Sequence, residues 1–247
     1  MKLTVLGCLG AYPYNNEGTS SYLLESENFH LLIDAGSATL INLENHLNPL
    51  TLDAAILSHY HYDHIADIGV LKYYRQLYPA MNPTPVLPIY GHTEDQNHFE
   101  ELTMEGVTQA IPYFEAEELK LGPFLITFMR TIHPAPCYAM RIVEEKTGKI
   151  LVYTGDSGYM NEFVEFAQNV DVFLVDTYLF AGNEHHQAHM TSKEAGELAM
   201  AASVKKLVLT HLPQQGSLKE LKEQAELAAD YVLPVLVAKR NLVLEIE

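Results

Sequence analysis

The chain has 247 residues, 48% of them apolar and 19% charged, the profile of a globular protein with a sizeable core. Fifteen Lys and Arg stand against 32 Asp and Glu, a formal net charge of −17, which disfavours general nucleic-acid binding through phosphate contacts. Apolar runs stay short of a membrane span, the first residues read as a strand and not a signal peptide, and two cysteines cannot build a disulfide scaffold, so a reduced, cytoplasmic setting without a membrane partner fits.

Strand patterns open the chain at residues 3–6, 21–24 and 30–33, with the turn residues Gly10, Pro13, Asn15, Asn16 and Gly18 between the first two. A short helix is expected at 38–46, then a buried strand at 54–57 and helical spacing of apolar residues over 65–78. Pro79, Pro83, Pro85 and Pro88 mark a bend around the strand expected at 87–90. Residues 107–153 are rich in strand patterns, with turns at Gly122-Pro123 and Thr147-Gly148. Beyond them strands at 172–175 and 207–209 alternate with helices at 191–202 and 218–230. Thr191-x-x-Glu194 and Ser217-x-x-Glu220 have capping-box spacing at those helix starts. With no repeat at a solenoid period, residues 1–247 are expected to form a single domain of mixed strands and helices.

Twelve histidines is a rich supply of metal ligands. The apolar strand at 54–57 runs into Ser58-His59-Tyr60-His61-Tyr62-Asp63-His64, four potential ligands within six positions. If the strand persists, His59 and His61 point the same way, while Asp63 and His64 begin the turn into a helix. A random chain of this composition would hold such a set about 0.001 times. Further candidates follow apolar runs: His133 after 124–132, Asp156 after 150–155 and His211 after 207–210. Together they make seven groups, enough for two four- to five-coordinate metals if one carboxylate bridges.

His59-x-His61-x-Asp63-His64, then His133, Asp156 and His211, resemble in kind and order the dinuclear site of the metallo-β-lactamase superfamily. The resemblance spans most of the chain and implies an α+β fold, a four-layer αβ/βα sandwich with the site at one edge of the sheets. It implies His59, His61 and His133 on one metal, Asp63, His64 and His211 on the other, and Asp156 between them. Leu87-Pro88-Ile89-Tyr90-Gly91, Tyr153-Thr154-Gly155-Asp156-Ser157, His189-Met190-Thr191 and Leu209-Thr210-His211-Leu212 resemble short motifs of the ribonuclease Z and phosphodiesterase branch. True β-lactamases usually carry a cysteine at the place of Asp156, and the diiron oxidoreductases a glutamate at the place of His61. Both differences favour zinc hydrolysis.

Other features depart from ribonuclease Z. The long-armed enzymes insert a tRNA-gripping arm between the third His and the bridging Asp, an interval that here is only 156 − 133 = 23 residues. Residues 10–18, basic in those enzymes, hold no Lys or Arg and do hold Glu17, and Ser157-Gly158-Tyr159 is likewise free of basic side chains. With the charge of −17, these features argue against tRNA as the partner.

Among the remaining residues, His189 stands apart: it matches the family's His-x-Thr pattern and precedes a helix N-terminus suited to anions. Asp63 and His189 are the candidate catalytic residues. His185 and His186 read as a solvated loop, and His30, His46, His92 and His98 as surface or packing residues. Asp34 is placed either to orient a ligand histidine or to shape a turn. Tyr60 and Tyr62 either line the site or pack, and Cys8 and Cys137 read as buried thiols without chemistry.

The expectation is therefore a hydrolase with two zinc ions, its donor set also admitting manganese or iron, that cleaves small or short phosphodiesters with a metal-bridging hydroxide. A lactone or thioester hydrolase and ribonuclease Z-like tRNA 3′ processing share the same ligands. A metal-sensing scaffold is a non-enzymatic reading, against which the full ligand complement argues. The family resemblance also implies a homodimer.

Overall fold

The computed structural model describes residues 1–78 and 84–247, so Pro79 and Pro83 of the expected bend lie outside the described residues. The chain forms two compact units, one of Met1–Phe114 with Lys239–Glu245, the other of Glu115–Ala238 with Ile246–Glu247.

The first unit is built on β1 (Lys2–Gly7), β2 (Ser21–Ser26), β3 (Phe29–Ala35), β4 (Ala54–Ile56), β5 (Leu87–Gly91) and β6 (Thr108–Pro112). The helices α1 (Thr39–Leu43), α2 (Tyr62–Ile65), α3 (Ile68–Leu77) and α4 (Gln96–Glu101) lie between them in the chain. β1, β2 and β3 pair antiparallel, while β3 through β6 run parallel. Leu31–Ile33 of β3 and all of β4 are continuous buried apolar runs, as strands covered on both faces must be, whereas β5 alternates buried and half-buried residues and β6 is largely exposed or half-buried. The core joins Leu6, Leu23, Leu32, Ala55 and Ile89 of the sheet to Ile68 and Leu71 of α3. Each fully buried side chain of this size contributes about 1.5–3 kcal/mol.

The second unit holds β7 (Leu119–Leu121), β8 (Phe124–Arg130), β9 (Tyr138–Glu144), β10 (Ile150–Tyr153), α5 (Phe163–Phe166), β11 (Val172–Asp176), α6 (Ser192–Ala201), β12 (Leu207–Thr210), α7 (Leu218–Ala228) and β13 (Val235–Val237). Here too half the sheet, β7 to β10, is antiparallel and half, β10 to β13, parallel. The last strand, β14 (Val243–Glu245), returns to the first unit and pairs with β1 through Leu3 and Leu244. The interval from His133 to Asp156 holds only the β9–β10 hairpin, so there is no arm in it.

Most expected elements are present, and the differences have identifiable causes. The helix expected over 65–78 is broken at Ala66-Asp67, because Asp67 N–H bonds to Ala35 O and its carboxylate accepts Leu40 N–H. Strand β4 stops at Ile56, so strand alternation does not place His59 and His61; the irregular segment nonetheless brings their rings within 4.8 Å, His59 buried and His61 exposed. Thr191 and Glu194 form the full capping box of α6. At α7 only Ser217 caps, because Glu220 Oε1 accepts Gln224 Nε2 instead. That helix ends at Ala228, short of 230, since Asp230 and Tyr231 both have positive φ. Among the described residues, no helix is long and apolar enough to cross a membrane.

Candidate metal centre

In each unit the chemistry-bearing side chains gather where parallel strands end, the place where open α/β sheets bind ligands. In the first unit, Asp34 occupies the end of β3 with a φ of 52° and no exposed surface. Its Oδ1 accepts Ser58 N–H at 2.7 Å and its Oδ2 accepts the Ser58 hydroxyl at 2.8 Å. The same Oδ2 accepts His64 Nδ1–H at 2.8 Å. Ser58 has one hydroxyl proton, and Asp34 takes it, so His59 Nδ1 must donate to Ser58 Oγ at 3.0 Å. Both imidazoles therefore keep Nε2 as the basic nitrogen, the tautomer a metal ligand needs. The His59 ring lies 4.1 Å from that of His64 and 4.8 Å from that of His61. Asp63 is held from the early loop, its Oδ2 accepting Ala11 N–H at 2.7 Å.

The second unit repeats the device. His133 Nδ1–H donates to Ala188 O at 3.1 Å, which leaves Nε2 facing Asp156 Oδ2 at 3.9 Å. His211, with a φ of 51° just beyond β12, has Nδ1 3.3 Å from Asp176 Oδ1 and Nε2 3.3 Å from Asp156 Oδ2. Asp176, at the end of β11, also accepts Ser157 N–H, Tyr178 N–H and, at 2.8 Å, His189 Nδ1–H. Thus His189 is coplanar-stacked on His211, rings 5.1 Å apart, and edge-on to His133 at 5.5 Å. Burial works against the His189 imidazolium, but the Asp176 charge and hydrogen bond outweigh it and raise its pKa above the ordinary value.

The donor sets fit a divalent metal. Two donors on one tetrahedral ion at ordinary zinc bond lengths stand about 3.4 Å apart. His64 Nε2 to Asp63 Oδ2 is 3.6 Å, and His211 Nε2 to Asp156 Oδ2 is 3.3 Å. Imidazole with carboxylate suits zinc, manganese or iron. Asp156, Asp176, His189 and His211 bring donor atoms within 4.8 Å of one another. Asp176 Oδ2 and His189 Nδ1 are occupied with each other, while Asp156 and His211 face one another through Oδ2 and Nε2.

Of the sequence candidates, the first unit brings together His59, His61, Asp63 and His64, and the second His133, Asp156, His211 and His189. Asp34 does orient two histidines, directly and through Ser58. Asp176 is a site residue that the sequence reading does not name, although its signal is the one that marks Asp34 and Asp156, an acid at or shortly after the end of an apolar strand. His185 and His186 are exposed, as expected of a solvated loop. Tyr60 packs, 6% exposed, whereas Tyr62 stands 77% exposed. Cys8 and Cys137 are buried, and burial, with the Glu17 carboxylate nearby, pushes the Cys8 thiol pKa far up and makes it inert.

Several known proteins are similar to this chain. The probable metallo-hydrolase YhfI of Bacillus subtilis is 43% identical over 228 residues, covering 92% of this chain and 93% of that protein. Its crystal structure has a TM-score of 0.93 at 41% identity, covering 98% of both chains. Ribonuclease Z of Anoxybacillus flavithermus is 26% identical over 297 aligned positions, covering 92% of each chain. The short form of human tRNase Z shares the fold, with a TM-score of 0.76 at 20% identity over 100% of both chains. The two mixed sheets with their helices are those of the metallo-β-lactamase fold, as the resemblance implied. The model of the metallo-beta-lactamase superfamily matches residues 14–211, well over half of the sequence, and the chain belongs to that superfamily.

Proposed function

We propose that the protein is a two-metal phosphodiesterase acting on small or accessible phosphodiesters, with zinc as the favoured ion. Its standing as a metal-dependent hydrolase rests on the superfamily, the metallo-hydrolase relative and the His and Asp clusters. The finer reading assigns His59, His61, Asp63, His64, His133, Asp156 and His211 to the metals, on the strength of the family resemblance and of the Nε2 tautomers set in each unit.

The observation that carries the phosphodiester reading is His189, a half-buried imidazole beside His133 and His211 whose Nδ1 is committed to a buried carboxylate. A bound divalent ion supplies an acidified water and offsets the negative charge of a phosphate. The chain's own residues do the rest. Asp63, steadied by Ala11 N–H, is the group on the attacking side. His189, oriented through its Nδ1 by Asp176, is the donor to the departing alkoxide or to a phosphoryl oxygen, where charge accumulates. A thiolate leaving group needs no such donor. The ribonuclease Z relative supports phosphodiester chemistry, while the charge of −17 and the short β9–β10 hairpin support a small substrate over tRNA. A single hydrolase domain over 1–247, a cytoplasmic setting and a homodimer belong to the same proposal.

The test is a turnover panel on gently purified protein: bis-p-nitrophenyl phosphate, a lactone, a thioester and pre-tRNA, with metal content measured alongside. Diester turnover should lead, with about two metal equivalents per chain. Lactone turnover that dwarfs it, or efficient pre-tRNA cleavage at physiological salt, overturns the reading.

A further inference from the structure

The segment that bears His59 and His61 has little sheet to rest on. Leu57 N–H makes the last ladder-like bond, 2.9 Å to Tyr90 O. Beyond it two buried phenols take over. Tyr113, which follows β6 and is 3% exposed, donates its hydroxyl to Leu57 O at 2.8 Å and lies 3.4 Å from Ser58 O. Tyr60, between the two histidines, donates to His92 O, just past β5, at 2.6 Å. The Tyr60 ring lies 4.4 Å from that of His92. Gly91 is what lets the phenol in: a Cβ there would stand 2.3 Å from the Tyr60 hydroxyl oxygen.

We propose that Tyr60 and Tyr113 are positioning residues that fasten the His59–His61 segment to the ends of β5 and β6 and thereby set the affinity of the centre for its metal. The inference rests on the metallohydrolase reading above. Irregular backbone must be ordered before a metal can use its side chains, and that ordering costs about 1–2 kcal/mol per residue unless the fold has already done it. Two hydrogen bonds do so here, one received by Leu57 O and one donated by Tyr60 to His92 O, main-chain atoms 35 positions apart in the chain. Ligands have to be held to within about 0.5 Å for a site to bind well. Neither phenol need touch the metal for its loss to matter.

Tyr60→Phe and Tyr113→Phe, singly and together, keep the rings and remove the bonds. The readout is the zinc dissociation constant of the full chain, measured by competition with a chromogenic chelator, together with the melting temperature of metal-free protein. Each single variant should bind zinc about tenfold more weakly, and the pair more weakly still. Gly91→Ala loosens Tyr60 from the opposite side and should weaken zinc binding in the same direction, which guards against a misfolded phenylalanine variant. Thr108→Val is the control, removing a buried hydroxyl bonded to Leu102 O and so costing stability away from the ligand segment. Its zinc affinity should stay that of the unsubstituted protein. Unchanged zinc affinity in the phenylalanine variants overturns the clamp and leaves the metallohydrolase reading intact. An equal loss in Thr108→Val overturns it too, since general destabilisation then explains everything. Failure of the unsubstituted protein to bind zinc, manganese or iron overturns the metallohydrolase reading itself.

Discussion

Asp34 Oδ2 accepts the Nδ1 proton of His64 at 2.8 Å, with neither side chain exposed to solvent. The other partners of this carboxylate, Ser58 N–H and the Ser58 hydroxyl, complete a chain that ends on His59. One acid at a strand end thus selects the tautomer of two candidate ligands. Asp34→Asn tests it, since asparagine tolerates the positive φ at this position but replaces one acceptor oxygen with a donor. Metal affinity should fall about 10- to 100-fold, read by chelator competition. An unchanged affinity would mean that the tautomers are set without Asp34.

The Asp176–His189 pair carries the next expectation. His189→Ala should keep both metals and lose about 10²–10⁴ in kcat on a diester with a poor leaving group. The loss should shrink for p-nitrophenolate, which departs without a proton. Asp176→Asn should act in the same direction more weakly, because His189 remains but loses its anionic partner. Metal loss in His189→Ala would instead make the residue a ligand, a role its place in the cluster with Asp156 and His211 makes chemically open.

The cluster of candidate ligands was legible in the sequence because the run from His59 to His64 is dense and follows an apolar strand. The rest of the site hides in long-range partners. Tyr113 meets Leu57 across 56 positions, and Asp67 breaks a helix by bonding to Leu40, 27 positions away, so no local pattern could carry either. Asp176 was readable in principle but looks like any polar strand terminus until His189 and His211 are seen beside it. The short elements α4, α5, β7, β13 and β14, three to six residues each, lack the length for periodicity to speak.

Acid stability should depend on Asp171, far from the ligands in sequence. Its carboxylate accepts Ile150 N–H at 2.8 Å and faces Lys205 at 2.8 Å and Lys149 at 3.5 Å. Burial opposes its ionisation, but the hydrogen bonds and the two ammonium groups win and hold its pKa below the usual aspartate range. A carboxylate depressed on folding stabilises the fold above its unfolded pKa, near 4, and that contribution drains away as pH falls through the lower folded value. Asp171→Asn should therefore cost about 1 kcal/mol at pH 7, modest because both lysines are partly solvated. In urea melts the gap between variant and unsubstituted protein should close progressively below about pH 4. A gap that is constant down to pH 2 would show that ionisation of Asp171 contributes nothing.

Two glycines make the sharpest contrast in the first unit. Gly36 follows β3, and a Cβ on it would stand 2.1 Å from Asp63 O and 2.2 Å from Thr19 Oγ1. Asp63 O is main chain and cannot swing aside, so the ligand-bearing turn itself must move. Gly69, exposed in the first turn of α3, has nothing within 4 Å of the same added atom. The same substitution should thus act with opposite signs. Gly69→Ala should stabilise the protein by about 0.4–1 kcal/mol, through the entropy the unfolded chain no longer has to lose. Gly36→Ala should destabilise it by about 1–3 kcal/mol, the usual range for overpacking, and weaken metal binding through the displaced Asp63. Both are read from urea melts of metal-free protein with a zinc titration beside them. If Gly36→Ala matches the unsubstituted protein in stability and zinc affinity, then the close approach of Gly36 to Asp63 does not constrain the turn.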